Sequence, residues 1–210
     1  MSHCGKIFLR ALVTAIPKIS AEYFQCPTAN RRAAEDYVVS PHRIEKAFRF
    51  GERLFCYELY HQLRISLAPL LNSSILTLHG ELQKPLLEAM AGEQAGARRL
   101  DKKYIPDFIL HGPGRFDNQE VMMEVKTNPN WKFAQIYYDL KKIDQFIDRY
   151  KYKMGVFLAV NVRWNDLLDN LLKNKVKLQV TITYSHCIHI VVCNGPDEEV
   201  FHTTLGEVLK

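Results

Sequence analysis

The sequence lacks any apolar stretch long enough to cross a bilayer, although 47% of its 210 residues are hydrophobic. It also lacks the clean apolar core and small-residue cleavage site of a signal peptide, because Arg10 interrupts the mildly apolar segment from Met1 to Lys18. These absences predict an intracellular, cytoplasmic protein that makes no membrane contact.

Cysteine pairs with metal-binding or redox spacing are also missing. The five cysteines are scattered along the chain, and no C-x-x-C occurs. An odd, dispersed set predicts reduced thiols rather than a disulfide framework. The chain has no G-x-x-x-x-G-K-[ST] phosphate loop either, so ATP hydrolysis by the chain itself is not expected.

The charge balance is mildly basic, with a formal net charge of +5. This excess is compatible with a polyanionic partner, although each basic cluster alone is typical of solvated helix ends. Several clusters around one acidic site would be more informative, because cations offset the repulsion between carboxylates and phosphates. The clusters are Arg98–Lys103, Lys141-Lys142, Arg149–Lys153 and Lys173–Lys177.

Hydrophobic periodicity predicts one α/β domain with a mixed central sheet flanked by helices. Residues 1–40 give no clear pattern and are assigned to an N-terminal extension of uncertain structure. Residues 41–210 form the predicted domain, with a core at about 45–160. The expected elements are a helix to Arg64, strands at 75–83, 106–111 and 120–127, a helix at 131–152, a strand at 155–160, a helix at 164–173, C-terminal strands at 176–184 and 187–193, and a short helix at 203–210.

Two of the predicted strands carry charges inside short apolar segments. Asp107 follows Pro106 at the start of one, and Glu124 and Lys126 interrupt the other. Strong turn residues between these segments predict an antiparallel hairpin, so that Asp107 lies beside Glu124. Side chains alternate along a strand, so Glu124 and Lys126 project from one face.

This combination of residues suits phosphodiester hydrolysis. The carboxylates of Asp107 and Glu124, with the Val125 carbonyl, are oxygen ligands suited to Mg²⁺. Lys126 would orient the attacking water or neutralise phosphate charge; a role as base is less favoured, because adjacent carboxylates oppose loss of its proton. The alternative is a solvated strand face with a cross-strand ion pair, preceded by an ordinary Pro-Asp turn.

The residues Pro106-Asp107 and Glu124-Val125-Lys126 resemble the signature of the PD-(D/E)xK nuclease superfamily, which has the restriction-endonuclease-like fold. The predicted element order over residues 45–160 is similar to the α-β-β-β-α-β core of that superfamily. The resemblance implies Mg²⁺-dependent cleavage of nucleic acid, most often DNA, with Mn²⁺ as a substitute. It further implies that Asp107 and Glu124 bind the metal and that Lys126 is the catalytic lysine.

The resemblance also implies a glutamate on the first core helix. Glu58 is the best match, and Gln62 lies four residues later on the same helix face. Glu52 is the competing candidate. The alternative for Glu58 is a solvated position on an amphipathic helix.

Further polar residues are candidates for contacts with substrate. Glu81 lies at the end of the strand expected beside Asp107, and Lys84 follows it; an edge ion pair is the alternative for Glu81. Asp139 and Lys142 lie three apart on the long helix, where Lys142 would reach phosphate. For that pair the spacing favours a surface ion pair.

The expected function is therefore a Mg²⁺-dependent DNA endonuclease, with RNA as an alternative substrate. A second hypothesis is a non-catalytic nucleic-acid-binding or assembly subunit with the same fold, because a fold does not fix function. No separate recognition domain is evident, so a homodimer or a partner protein would supply specificity and the second site that double-strand cutting needs.

Overall fold

A computed structural model describes residues 2–24, 41–81, 104–113 and 116–210. Among these residues, no helix has both the length and the apolar content needed to span a bilayer. The helices are α1 (His3–Ala15), α2 (Ala21–Phe24), α3 (Pro41–Ser66), α4 (Ala68–Ser73), α5 (Phe133–Tyr150), α6 (Trp164–Lys173), α7 (Lys175–Thr181) and α8 (Leu205–Val208). The strands are β1 (Thr77–Gly80), β2 (Phe108–His111), β3 (Gln119–Lys126), β4 (Met154–Val160), β5 (Ile188–Cys193) and β6 (Val200–Thr204).

The described strands form one six-stranded mixed sheet in chain order. β1, β2 and β3 pair antiparallel, which confirms the predicted hairpin of β2 and β3. β3, β4 and β5 pair parallel, and β6 is antiparallel at the edge. Parallel neighbours need a long crossover connection, and α5 provides it between β3 and β4.

Helices cover both faces of this sheet, and the side chains of β3 alternate between them. Val121, Met123 and Val125 belong to the core under α1 and α3. Met122 belongs to the opposite core, under α5 and α6. Since strand side chains have a period of two, Glu124 shares the α5 face with Met122. The predicted division of β3 into two faces is therefore confirmed.

The N-terminal segment is part of the hydrophobic core that lies under α1 and α3. Phe8 and Leu12 of α1 are completely buried against α3 and the sheet. The buried Glu120 of β3 accepts hydrogen bonds from Ser2 Oγ at 2.7 Å and from Lys153 Nζ at 2.6 Å. These contacts attach the start of α1 to the strand that carries Glu124. Residues 25–40 lie outside the described part of the chain.

The predicted strand at 176–184 is wrong, because this segment contains the helix α7. Apolar residues at every second position suggested strand alternation. In the structure Val176 and Val180 are 75% and 81% exposed, whereas Leu178 and Ile182 are buried. The two buried residues are four apart, which is the spacing of one helix face. The edge strand β6 was not predicted, since all five of its side chains are half-buried or exposed and give no buried apolar pattern.

Two histidine pairs bridge antiparallel strands near the two edges of the sheet. His79 Nδ1 lies 2.9 Å from His111 Nε2, and His189 Nδ1 lies 2.8 Å from His202 Nε2. Each contact requires one ring nitrogen to donate and the other to accept, so at least one ring of each pair is neutral. Burial lowers the pKa of His111 to about 4, with a smaller contribution from His79.

The lowered pKa of His111 predicts a loss of stability in mild acid. A histidine whose pKa is lower in the folded state favours folding above its unfolded pKa of 6.5, and stability falls as the pH decreases below that value. From about pH 7 to pH 5, His111 should reduce the free energy of unfolding by about 2 kcal/mol. Urea titrations across this range should show a shallower decline for His111→Gln, and an unchanged slope would contradict the assignment.

Candidate active site

Asp107 and Glu124 lie opposite each other where β2 begins. The last antiparallel pair in this direction is Phe108 with Met123, and one further step of the same register pairs Asp107 with Glu124. Asp107 Oδ2 accepts a hydrogen bond of 2.7 Å from the Val125 backbone N–H. The Asp107 carboxylate thus satisfies a donor of β3 beyond the end of the neighbouring strand. Burial raises the pKa of Asp107, although Lys126 and this hydrogen bond oppose the effect.

Glu124 is the most deeply buried of the candidate residues, with only 1% of its surface exposed. Its Oε2 forms an ion pair with Lys142 Nζ. Its Oε1 is also buried and has no hydrogen-bond partner among the described residues. Burial, with the negative charge of Asp107 added, raises the pKa of Glu124 well above its ordinary value. A carboxylate oxygen with no partner in such a position is costly unless a ligand satisfies it.

Lys126 lies on the same face of β3 and contacts several acceptors. Its Nζ is 3.5 Å from Asp139 Oδ2, 3.7 Å from Glu52 Oε1 and 3.3 Å from the Val125 carbonyl oxygen. Burial favours the neutral amine, but the surrounding carboxylates, Asp139 and Glu52 foremost, outweigh it and raise the pKa of Lys126. The geometry therefore favours the ammonium form over a general base.

The carboxylate that α3 contributes to this cluster is Glu52. Burial raises its pKa, whereas Lys126 and a hydrogen bond from the Thr127 backbone lower it. Glu58 instead accepts a hydrogen bond of 2.7 Å from Gln62 Nε2. Glu58 is six residue steps after Glu52, which amounts to about 9 Å along the helix axis and about 240° around it. The preference for Glu58 therefore does not agree with the geometry, and Gln62 interacts with Glu58 rather than with the cluster.

Helix α5 contributes an acid and a base that the sequence pattern had assigned to the surface. Asp139 and Lys142 are both buried, and their partners lie on β3 rather than on each other. The surface ion pair favoured by their spacing is therefore wrong. Position 139 is three residues after the buried Ile136 and four before the buried Ile143, so it lies on the inward face of the helix. That spacing is the signal that would have found Asp139.

Glu81, directly after β1, contacts this cluster through its backbone, because its N–H donates a hydrogen bond of 2.9 Å to the Asp107 carbonyl oxygen. Its side chain instead forms an ion pair, with Glu81 Oε1 3.2 Å from Arg53 Nε, and both side chains are exposed. This is the edge ion pair that was the alternative for Glu81. Lys84 lies outside the described residues.

The oxygen ligands where β2 begins and β3 ends fit a hard divalent cation. Asp107 and Glu124 supply two carboxylates, and one oxygen of Glu124 is buried with no partner in the part of the chain that the structure describes. Mg²⁺ typically takes one or two carboxylates and keeps several waters. Among the described residues, no group of three or more His, Cys, Asp and Glu side chains is arranged to hold a metal. Any further ligands would come from the Val125 carbonyl, water or substrate.

Comparison with protein-family models, with curated proteins and with solved structures finds no match for this chain.

Proposed function

We propose that this protein is a metal-dependent nuclease of the PD-(D/E)xK type, acting most readily on DNA as an endonuclease with Mg²⁺ as cofactor. One observation carries the proposal: Asp107, Glu124 and Lys126 converge where β2 begins and β3 ends, around a buried Glu124 oxygen that has no hydrogen-bond partner within the described ranges. Resemblance of these residues to the superfamily signature supports it. So does the arrangement of an antiparallel hairpin, a helix and a parallel strand.

Asp107 and Glu124 would hold the metal, with the Val125 carbonyl beside them. The chemistry that Mg²⁺ supplies when bound is a lower pKa of coordinated water and compensation of charge on the phosphate. The chain itself has to position the side chains that would hold the metal. The hydrogen bond from Val125 N–H fixes the orientation of the Asp107 carboxylate.

Lys126 would act as an oriented cation. Asp139 and Glu52 hold its ammonium group near the Val125 carbonyl, so its N–H donors can orient water or bind a phosphate oxygen. A fixed donor aimed at developing charge stabilises a transition state because it needs no reorganisation. Asp139 and Glu52 are accordingly positioning residues in this proposal.

The test is metal-dependent cleavage by the purified full chain. Supercoiled plasmid, linear duplex, single-stranded DNA and RNA are incubated with the protein in Mg²⁺, Mn²⁺ or EDTA. We expect plasmid cleavage with either metal and none in EDTA. Open circles would indicate single-strand nicking by one site, whereas direct linear product would indicate two sites acting together.

Lys126→Ala should reduce the cleavage rate by about a hundredfold, because it removes the oriented cation. Lys173→Ala, which removes an exposed lysine of α6, is the control for net charge and for contaminating nuclease. Equal cutting by wild type and Lys126→Ala would refute the site. Nucleic-acid binding with neither metal uptake nor cleavage would favour the non-catalytic alternative.

A further inference from the structure

The ammonium group of Lys142 occupies a cation position within the candidate site. Its Nζ pairs with Glu124 Oε2 and donates a hydrogen bond of 3.3 Å to the Ile105 carbonyl. Ile105 is two residues before Asp107, in the segment that leads into β2. Lys142 therefore links this segment to β3, beside both proposed metal ligands. Its side chain is only 9% exposed, which limits screening of the charge by solvent.

A divalent cation held by Asp107 and Glu124 would be attracted by the same carboxylate charges that the Lys142 ammonium group neutralises. Two cations close together in a poorly screened environment repel each other strongly. The lysine side chain is a compact charge on a flexible stem, so its head can move while the stem stays packed. Entry of a metal would therefore release Lys142 from Glu124.

We propose that Lys142 is a displaceable counter-cation that competes with the divalent metal for Glu124 and thereby sets the metal affinity of the site. This inference rests on the proposed metal site and deepens it. In the absence of metal, Lys142 compensates the buried carboxylates. When metal is bound, the released ammonium group becomes available to other acceptors.

The test compares Mn²⁺ binding by wild type and Lys142→Met in the full chain, measured by calorimetric titration. Methionine fills similar space without charge, and we expect about tenfold tighter Mn²⁺ binding once a charged competitor is lost. Lys141→Met is the matched control, because it removes the adjacent, exposed lysine of the same helix. Lys142→Arg keeps the charge and should bind Mn²⁺ like wild type. Binding by Lys142→Met that equals or falls below wild type would overturn the proposal, since that is the result of a merely structural ion pair.

A second measurement uses wild type only and does not depend on the folding of a variant. Acetic anhydride labelling read by mass spectrometry reports the accessibility of each lysine. Saturating Mn²⁺ should increase labelling of Lys142 several-fold and leave Lys141 unchanged. Unchanged labelling of Lys142 would show that it is not displaced.

The outcomes separate this inference from the proposed function. Tighter Mn²⁺ binding by Lys142→Met without cleavage of any nucleic acid would leave the inference standing and remove the nuclease. Metal-dependent cleavage by wild type, with no gain in Mn²⁺ affinity for Lys142→Met, would support the nuclease and overturn the inference about Lys142. Failure of both proteins to bind Mn²⁺ would remove both.

Discussion

Replacing Asp107 by Asn is expected to reduce metal-dependent cleavage by about a thousandfold or more, because it removes one of two carboxylates that would hold the metal. Asparagine has nearly the same shape, and its side-chain oxygen can still accept the hydrogen bond from Val125 N–H. Loss of activity would therefore reflect lost charge rather than lost structure. Initial rates on supercoiled plasmid in Mg²⁺ measure the effect.

The same substitution should stabilise the fold. The pKa of Asp107 is raised by burial, so folding disfavours its ionised form at neutral pH. Removing that charge should increase the free energy of unfolding by about 1 kcal/mol, as is common where a site is kept at the expense of stability. The gain should disappear in acid, where the wild-type carboxyl is protonated in both states. Asp117→Asn, an exposed site in the same hairpin connection, should change neither property. Full activity in Asp107→Asn would exclude Asp107 as a metal ligand.

Replacing Gly155 by Ala is expected to destabilise the protein by about 3 kcal/mol, which is the upper range for overpacking a core. A Cβ on Gly155 of β4 would overlap the Cγ2 of Ile143 and lie 3.3 Å from the Cδ1 of Ile147. Ile143 is fully buried and branched at Cβ, so its methyl cannot swing aside within a helix. Helix α5 would have to move away from the sheet.

Gly195→Ala provides the control, because its added Cβ would meet only Glu198 Cγ at an ordinary 3.9 Å. That variant should be neutral or slightly stabilising, since alanine restricts the unfolded chain more than glycine does. Urea denaturation with equal m-values would isolate the change in stability. If the two variants have equal midpoints, α5 does not pack on Gly155 as described. Because α5 carries Asp139 and Lys142, displacement of the helix would also disturb the partners of Lys126 and Glu124.

Local patterns were enough to predict the hairpin, the long helix and the parallel strand. Asp107, Glu124 and Lys126 could be selected as candidates because charge inside an apolar strand contradicts its surroundings, and such a contradiction is visible in sequence alone. The parallel strand β4 is a continuous apolar run, which is typical of strands buried on both faces.

Other features of the structure depend on tertiary packing, which local sequence patterns do not report. The choice between Glu52 and Glu58 depends on which turn of α3 passes the end of β3. Amphipathic spacing in the sequence does not reveal which turn this is. Asp139 and Lys142 were assigned to the surface because their spacing also suits an exposed pair, whereas packing against β3 buries both. Similarly, the β-branched residues of α7 favoured a strand, and only the burial of Leu178 and Ile182 reveals the helix.

The different side chains on the two faces of β3 limit the insertions and deletions that this strand can accept. Its odd positions, Val121, Met123 and Val125, are apolar, and its even positions include the charged candidates Glu124 and Lys126. Substitutions that respect this parity change one side chain at a time. A single-codon insertion or deletion within the strand would exchange the two sets downstream, so that apolar side chains would meet Lys142 and charges would enter the opposite core. The division of β3 into two faces therefore depends more on the register of the strand than on the identity of most of its residues.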